Sequence, residues 1–150
     1  MAKYPSITTT KAGLNAISES NASGKALIFT GLLIGSGETP TDIKGLTALV
    51  APRLKIEDIT ITNNGDGECT IRGALVNTTL DSGFYAKEIG VLAKVGEEGE
   101  EILFSYTNGG NYVDYIPDKS TVMDTYTFTI TTVVGNAENI TVFVNNDGYA

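Results

Sequence analysis

The chain has 150 residues and a formal net charge of −8, with 10 basic against 18 acidic side chains. This balance disfavours nucleic acid and anionic membranes as partners, because both are bound through clustered lysines and arginines. The length predicts a single domain over residues 1–150, and the abundance of threonine, isoleucine and valine favours β-structure.

The side chains that usually carry catalysis are scarce. Histidine is absent and Cys69 is the only cysteine, which removes Ser–His and Cys–His pairs and histidine-based metal sites. Cys69 falls within a predicted strand and is interpreted as a buried small residue. Carboxylates are plentiful, but none stands in a recognisable catalytic signature. We therefore predict a protein that is not an enzyme and has no cofactor or metal.

No apolar stretch approaches the length of a membrane span, and the N-terminus lacks an apolar run of signal-peptide length. We therefore expect no membrane insertion, and synthesis in the cytoplasm. Three Asn-x-Ser/Thr triplets, headed by Asn21, Asn77 and Asn139, are interpreted as chance matches in a threonine-rich chain.

The N-terminal third predicts two helices around one strand. An amphipathic helix is expected over residues 8–23, with a threonine cap and Gly24 as its stop. Residues 26–34 are apolar on both alternating faces, which is typical of a strand covered on both sides. A short second helix is predicted before Pro52. Its apolar residues at helical spacing are Ile43, Leu46 and Leu49.

The rest of the chain alternates with a period of two, which predicts antiparallel strands. These strands span residues 56–62, 69–77, 84–95, 101–107, 122–134 and 139–144. The first two flank Asn63–Gly67, whose Asn-Gly and Asp-Gly pairs favour a hairpin turn over a calcium loop. The third and fourth form a second hairpin, a loop over 108–121 follows, and a turn over 136–138 joins the last two. The predicted fold class is α+β, mostly antiparallel β (a sheet or sandwich), with an N-terminal helix and a short second helix.

Three tyrosines in and beside the 108–121 loop are candidates for contact with a partner: Tyr106, Tyr112 and Tyr115. Aromatic side chains on loops anchor protein interfaces or stack on sugars. The alternative is that one or two of them pack inward and close the end of the sandwich. The residues alone leave these readings open.

One segment carries a family pattern, Gly-Phe-x-x-x-Glu-Ile-Gly, at Gly83, Phe84, Glu88, Ile89 and Gly90. Together with the threonine-rich first helix, the glycine-bounded apolar strand, the tyrosine-containing loop and the valine-rich last strand, it resembles the N-terminal attachment domain of phage tail-collar fibre proteins. The resemblance covers nearly the whole chain. It departs from the family where Ser82 replaces a glycine and Val91 replaces a leucine.

The resemblance implies a structural component of a phage or phage-like contractile tail, which attaches a homotrimeric fibre to baseplate proteins. Receptor contact would belong to other parts of the fibre. The location would be the virion or a tail-like particle, assembled in the bacterial host cytoplasm. The alternative function is a carbohydrate-binding module that uses Tyr112 and Tyr115 as stacking platforms.

Glu88 is the residue of the family pattern whose chemistry most invites a catalytic interpretation. Strand alternation places it between Phe84 and Leu92 on one face, which predicts at least partial burial. A buried carboxylate must be paired or hydrogen-bonded. The available donors are backbone amides of a neighbouring loop, a hydroxyl group, or Arg72. We therefore predict that Glu88 fixes a loop to the sheet and performs no chemistry.

Overall fold

The computed structural model describes residues 4–64, 67–134 and 140–142, the last of these by their backbone. Within these ranges the chain forms one helix and eleven strands, and the strands pair mostly antiparallel, so the predicted α+β class is confirmed. The elements are β1 (Thr8–Thr9), α1 (Lys11–Ser23), β2 (Leu27–Gly35), β3 (Pro52–Ile56), β4 (Ile59–Asn63), β5 (Glu68–Leu75), β6 (Phe84–Tyr85), β7 (Glu88–Val95), β8 (Ile102–Asn108), β9 (Tyr115–Ile116), β10 (Tyr126–Val133) and β11 (Ile140–Val142). No helix in these ranges has the length and apolar character needed to cross a membrane.

Helix α1 begins after Thr10, whose hydroxyl accepts a hydrogen bond from the Gly13 amide at 3.0 Å. It ends at Gly24, which adopts the left-handed conformation (φ 74°) that a non-glycine residue rarely takes. The predicted helix is therefore confirmed, but it starts three residues late. Thr8 and Thr9 form β1 instead, paired with β8, because β-branched residues suit a strand better than a first helical turn.

The main sheet has the order β1-β8-β7-β2, and both β3 and β11 lie along the far edge of β2. Strand β2 pairs with β7 over its whole length, and all its apolar side chains but Leu33 are buried. This confirms the prediction of a strand covered on both sides. Strand β11 runs parallel to β2 rather than pairing with β10, so the last two predicted strands belong to different sheets. The predicted turn over residues 136–138 lies outside the described residues.

The second sheet has the order β10-β5-β4 and packs over the main sheet. Its β4–β5 hairpin, with Ile59 opposite Gly73 and Asn63 opposite Cys69, confirms the first predicted hairpin. Residues 65 and 66 of the predicted turn lie outside the described residues. Cys69 is fully buried in the core between the sheets, as predicted, and burial raises the pKa of its thiol.

The predicted second helix is wrong, because residues 41–51 run through bends and turns and Pro52–Ile56 forms β3. The reason is tertiary. Leu49 packs with buried residues of β7 and β8, including Leu92 and Leu103, and the backbone amides of Val50 and Ala51 are bound by the Glu88 carboxylate. Amides committed to a distant side chain are not available for helical bonds.

The predicted strand 84–95 is interrupted at residues 86 and 87. There the Ala86 amide donates to the Asp114 carbonyl, and the Lys87 carbonyl accepts from the Gly109 amide. Strand β6 therefore leaves the main sheet and pairs with β9, which lies inside the stretch predicted as loop 108–121. The predicted hairpin of 84–95 with 101–107 is confirmed in its second part, as β7 and β8.

Candidate functional site: the Glu88 cluster and the tyrosine surface

Glu88 opens β7 and is completely buried. Its Oε1 accepts hydrogen bonds from the backbone amides of Gly37 at 2.8 Å and Ala51 at 2.9 Å. Its Oε2 accepts from the Val50 amide at 2.7 Å and from the Tyr106 hydroxyl at 2.7 Å. Four donors therefore surround the carboxylate, three from two separate loops and one from β8. The predictions of burial and of loop amides as donors are confirmed.

A second polar residue completes this Glu88 cluster. The Asn108 side-chain amide donates to the Tyr106 hydroxyl at 3.1 Å and to the Gly37 carbonyl at 3.0 Å. Both backbone groups of Gly37 are thus bound: its N–H donates to Glu88, and its carbonyl accepts from Asn108. Burial, together with the bond to Glu88, raises the pKa of the Tyr106 hydroxyl well above its usual range. The hydroxyl therefore stays protonated and can remain a donor.

Arg72 was the third donor that the sequence offered to Glu88, and this suggestion is wrong. Arg72 lies on the exposed face of the second sheet, with its backbone opposite Thr60 and Thr129. The sequence predicted loop amides as donors but not which ones, because Gly37, Val50 and Ala51 contribute only backbone amides, which no residue pattern distinguishes.

Three of the other residues of the family pattern are also buried, whereas Gly83 is half-buried. Phe84 and Ile89 are buried, and the Arg53 guanidinium lies 5.2 Å from the centre of the Phe84 ring. A Cβ atom at Gly90 would come within 2.7 Å of the Cδ1 atoms of both Leu49 and Leu103, so only glycine fits without repacking. The pattern therefore builds the junction between the two loops and the main sheet.

Tyr106 does not belong to the surface, because it is fully buried in β8 as part of the Glu88 cluster. Its interpretation as a partner contact is wrong, and the inward-packing alternative holds for this residue. Tyr112 and Tyr115 are 71% and 53% exposed. Both are therefore accessible to a partner.

Tyr85 was missed by the sequence reasoning. It lies opposite Tyr115 in the β6–β9 pair and is 55% exposed. The two rings meet edge to face, with centroids 5.0 Å apart. A Cβ at Gly83 would lie 2.1 Å from the Tyr115 hydroxyl oxygen, so Tyr115 rests directly on the Gly83 backbone. The signal that could have found Tyr85 is alternation, since it follows the buried Phe84 in the same strand.

We refer to Tyr85, Tyr112 and Tyr115 as the tyrosine surface. Tyr112 lies in the turn whose Gly109 is tied by its amide to the Lys87 carbonyl, two residues from Tyr85. A second contact fixes the segment next to Tyr115, because the Tyr126 hydroxyl donates to the Asp114 carboxylate at 2.6 Å. Burial and this carboxylate raise the pKa of Tyr126 to about 12. The surface thus rests on fixed backbone.

Asn77 fixes the next part of the loop region. Its buried side-chain amide donates to the carbonyls of Pro117, Asp118 and Thr121, at 2.8 to 3.1 Å. A glycan would replace one of the two hydrogens on this nitrogen and so disrupt this set of bonds, which agrees with the interpretation of its Asn-x-Thr triplet as a chance match.

Across residues 4–64 and 67–134, no three or more cysteine, aspartate or glutamate side chains come together in a group that could hold a metal ion. No family model, characterised protein or solved structure matches this chain. The contacts of its own residues therefore carry the functional argument.

Proposed function

We propose that this chain is a structural attachment module of a phage or phage-like contractile tail, which joins a homotrimeric fibre to baseplate proteins. The observation that carries the proposal is that most residues of the family pattern are buried and hold the loops to the main sheet. Phe84, Glu88, Ile89 and Gly90 are all interior and make structural contacts. The pattern that suggests the family therefore supports a rigid architecture.

The burial and hydrogen bonding of Glu88 favour a structural role over a catalytic one. Both carboxylate oxygens accept two hydrogen bonds from the protein, and the side chain is fully buried. A general acid or base must reach its substrate directly or through one water molecule. Glu88 is screened from any substrate by the loops that it binds.

The tyrosine surface supplies the docking contact in this proposal. Tyrosine provides a large, amphipathic contact area and has few rotatable bonds to immobilise, which suits an interface anchor. Tyr85 and Tyr115 already hold each other, and Tyr115 rests on Gly83, so little ordering is left to occur on binding. In a trimer each such contact is presented three times, which raises the overall affinity.

The test is incorporation of the fibre into tail particles. The double variant Tyr85→Ser/Tyr115→Ser is compared with Val122→Ser, which changes a 98% exposed residue of a neighbouring loop. We expect the double variant to stay folded, with a lower melting temperature because the Tyr85–Tyr115 ring contact is lost, and to be missing from purified particles, whereas Val122→Ser is incorporated normally. Normal incorporation of a folded double variant would remove the tyrosine surface from the proposal.

Assembly state gives a second check. The full-length fibre, examined by light scattering, is expected to be a trimer. A strictly monomeric fibre would contradict the trimeric part of the proposal.

The carbohydrate-binding alternative is favoured by one observation, the exposure of Tyr112 and Tyr115 on fixed backbone. Aromatic platforms of this kind stack on sugar rings. A glycan array separates the two functions. Binding that is lost on Tyr112→Ala, while particle assembly is retained, would favour the carbohydrate-binding module.

A further inference from the structure

Strand β10 is an edge of the second sheet. It pairs with β5 over eight residues, and no other strand of residues 4–64, 67–134 and 140–142 pairs with it. Its sequence, Tyr-Thr-Phe-Thr-Ile-Thr-Thr-Val, contains neither charge nor proline. Natural edge strands are commonly protected by lysine, proline or a bulge, because their open hydrogen-bonding groups recruit other strands. This edge carries none of these protections over the paired stretch.

The register defines which backbone groups of β10 point outward. The Val134 amide donates to the Gly67 carbonyl, and the Asn64 amide donates to Glu68 on the other side of β5. Because bonded pairs alternate along an antiparallel ladder, every second residue of β10 from Tyr126 onward turns its N–H and C=O toward β5. The residues between them direct these groups away from the sheet. They are Thr127, Thr129, Thr131 and Val133, and all four side chains are exposed.

A groove of about 490 Å³ lies against this edge. One wall is β10, from Thr129 to Val133, and the other is the N-terminal segment 4–7. That segment is held in place, because the Pro5 carbonyl accepts from the Thr107 hydroxyl at 2.8 Å and the Tyr4 hydroxyl donates to the Ala86 carbonyl. The volume falls within the range of roughly 300–1,000 Å³ that is usual for ligand-binding clefts.

We propose that the edge of β10 receives an extended segment of a partner protein, which adds to the second sheet as a fourth strand. Main-chain bonds to the four outward-facing residues provide the attachment, as in other strand-addition complexes. The side chains of the segment alternate, so one set enters the groove beside Ile7 and the buried Ile130 and is apolar. The other set lies beside the exposed threonines and is polar.

Charge identifies the chemistry of the segment further. Among the described residues that line the groove, Glu68 alone is charged, and it lies opposite Val133 at one end of the edge. A lysine or arginine at the matching end of the incoming segment is long enough to reach it. A second β10 has no basic residue to offer, and each copy of the chain has a net charge of −8. These charges favour a different protein over a second copy. That the segment belongs to a baseplate protein rests on the proposed function.

The first test is amide hydrogen exchange of the full chain by NMR, with the acetylated peptide Lys-Val-Thr-Ile-Thr-Val-Thr as the probe. In an antiparallel alignment its lysine lies beside Val133 and its valines and isoleucine face the groove. We expect the amides of Thr127, Thr129, Thr131 and Val133 to exchange freely without peptide and to slow at least about tenfold when it binds. The alternate amides, already bonded to β5, should change little.

The second test is peptide affinity measured by fluorescence anisotropy. Thr129→Pro removes an outward N–H and no ladder bond to β5, whereas the matched control Thr129→Val keeps the N–H. We expect Thr129→Pro to weaken binding by roughly tenfold or more, since it removes a main-chain bond and obstructs its neighbours, and Thr129→Val to have almost no effect. Replacing the lysine of the peptide with glutamate should also weaken binding.

Three results would overturn the proposal: no binding of the probe up to about 1 mM, equal binding to the proline and valine variants, or outward amides already protected in a peptide-free monomer. A dimer or trimer that Thr129→Pro dissociates would instead assign the edge to a second copy. Particle assembly separates this proposal from the proposed function. A Thr129→Pro fibre that still attaches would refute strand addition as the baseplate contact, but not attachment itself.

Discussion

Replacing Glu88 with glutamine tests whether this residue is a structural clamp. Glutamine has nearly the same shape as glutamate, but it offers one acceptor oxygen in place of two and carries no charge. If that oxygen keeps the amides of Gly37 and Ala51, the new NH2 group faces the Val50 amide and the Tyr106 hydroxyl. The hydroxyl can rotate to accept, but the Val50 amide is left facing another donor.

The magnitude follows from these contacts. The two retained bonds lose their charge assistance, and the partly buried Val50 amide loses its partner. A hydrogen bond to a charged group contributes about 1.5–3 kcal/mol against about 1 for a neutral one, and an unsatisfied buried donor costs about 1–3 kcal/mol. These losses amount to about 2–7 kcal/mol. Removing a buried charge offsets part of them, so we expect Glu88→Gln to lower the free energy of unfolding by about 2–4 kcal/mol. That is a large part of the roughly 5–15 kcal/mol available to a typical domain.

The measurement is urea unfolding followed by far-ultraviolet circular dichroism, with Glu101→Gln as the matched control. Like Glu88, Glu101 accepts hydrogen bonds through both carboxylate oxygens, here from the Thr30 hydroxyl and the Lys55 ammonium group. Unlike Glu88, its side chain is 37% exposed. An exposed pair of this kind contributes about 0–1 kcal/mol, so the control should stay close to wild type. If Glu88→Gln changes stability by less than about 0.5 kcal/mol, the clamp hypothesis fails. A fully stable variant that no longer enters particles would make Glu88 an interface residue instead.

Three further predictions concern the groups that hold the core and the loop region. Burial and the bond to Asp114 raise the pKa of Tyr126 to about 12 from its ordinary 10, so its contribution to stability is complete below pH 10 and is lost as the pH rises toward 12. In urea unfolding across this pH range, Tyr126→Phe should therefore lose less stability than the wild type, and equal losses would contradict the raised pKa of Tyr126. Asn77→Asp replaces the donor to three carbonyls with an acceptor, so we expect the free energy of unfolding to fall by about 2–3 kcal/mol and proteolysis near residues 117–121 to become faster. An unchanged cleavage rate would show that Asn77 does not fix this part of the loop. Cys69 is buried and its pKa is raised, so its labelling by a maleimide should follow the rate of unfolding, and rapid labelling of the native protein would show that the core opens locally.

Some elements were predictable because the information is local. The first helix has a threonine cap and a glycine stop, and both signals act within a few residues of the helix ends. The β4–β5 hairpin follows from alternation on either side of a glycine-rich turn. Burial of Glu88 could also be anticipated, because its apolar neighbours at alternate positions are buried with it.

The candidate site was predictable in part. Alternation and the family pattern led to Glu88, and the loop composition led to Tyr112 and Tyr115. The pairing of Tyr85 with Tyr115 was not predicted, because it depends on β6 and β9, two-residue strands that are too short to produce a periodic signal. Tyr106 was misplaced although it lies within the predicted strand 101–107, because β8 is buried on both faces, which alternation alone does not show.

The sequence by itself determined the mostly antiparallel α+β class, the first helix and the alternating strands, because capping, turn chemistry and side-chain periodicity act between near neighbours. Only the tertiary structure decided the course of residues 41–51, where helical spacing gave way to the contacts of Leu49 and to the amides bound by Glu88. It also decided that β11 joins β2 in parallel and that, among the described strands, β10 pairs only with β5. The physical reason is that backbone donors and acceptors are the same in every residue, so their choice among distant partners depends on packing and leaves no pattern along the chain.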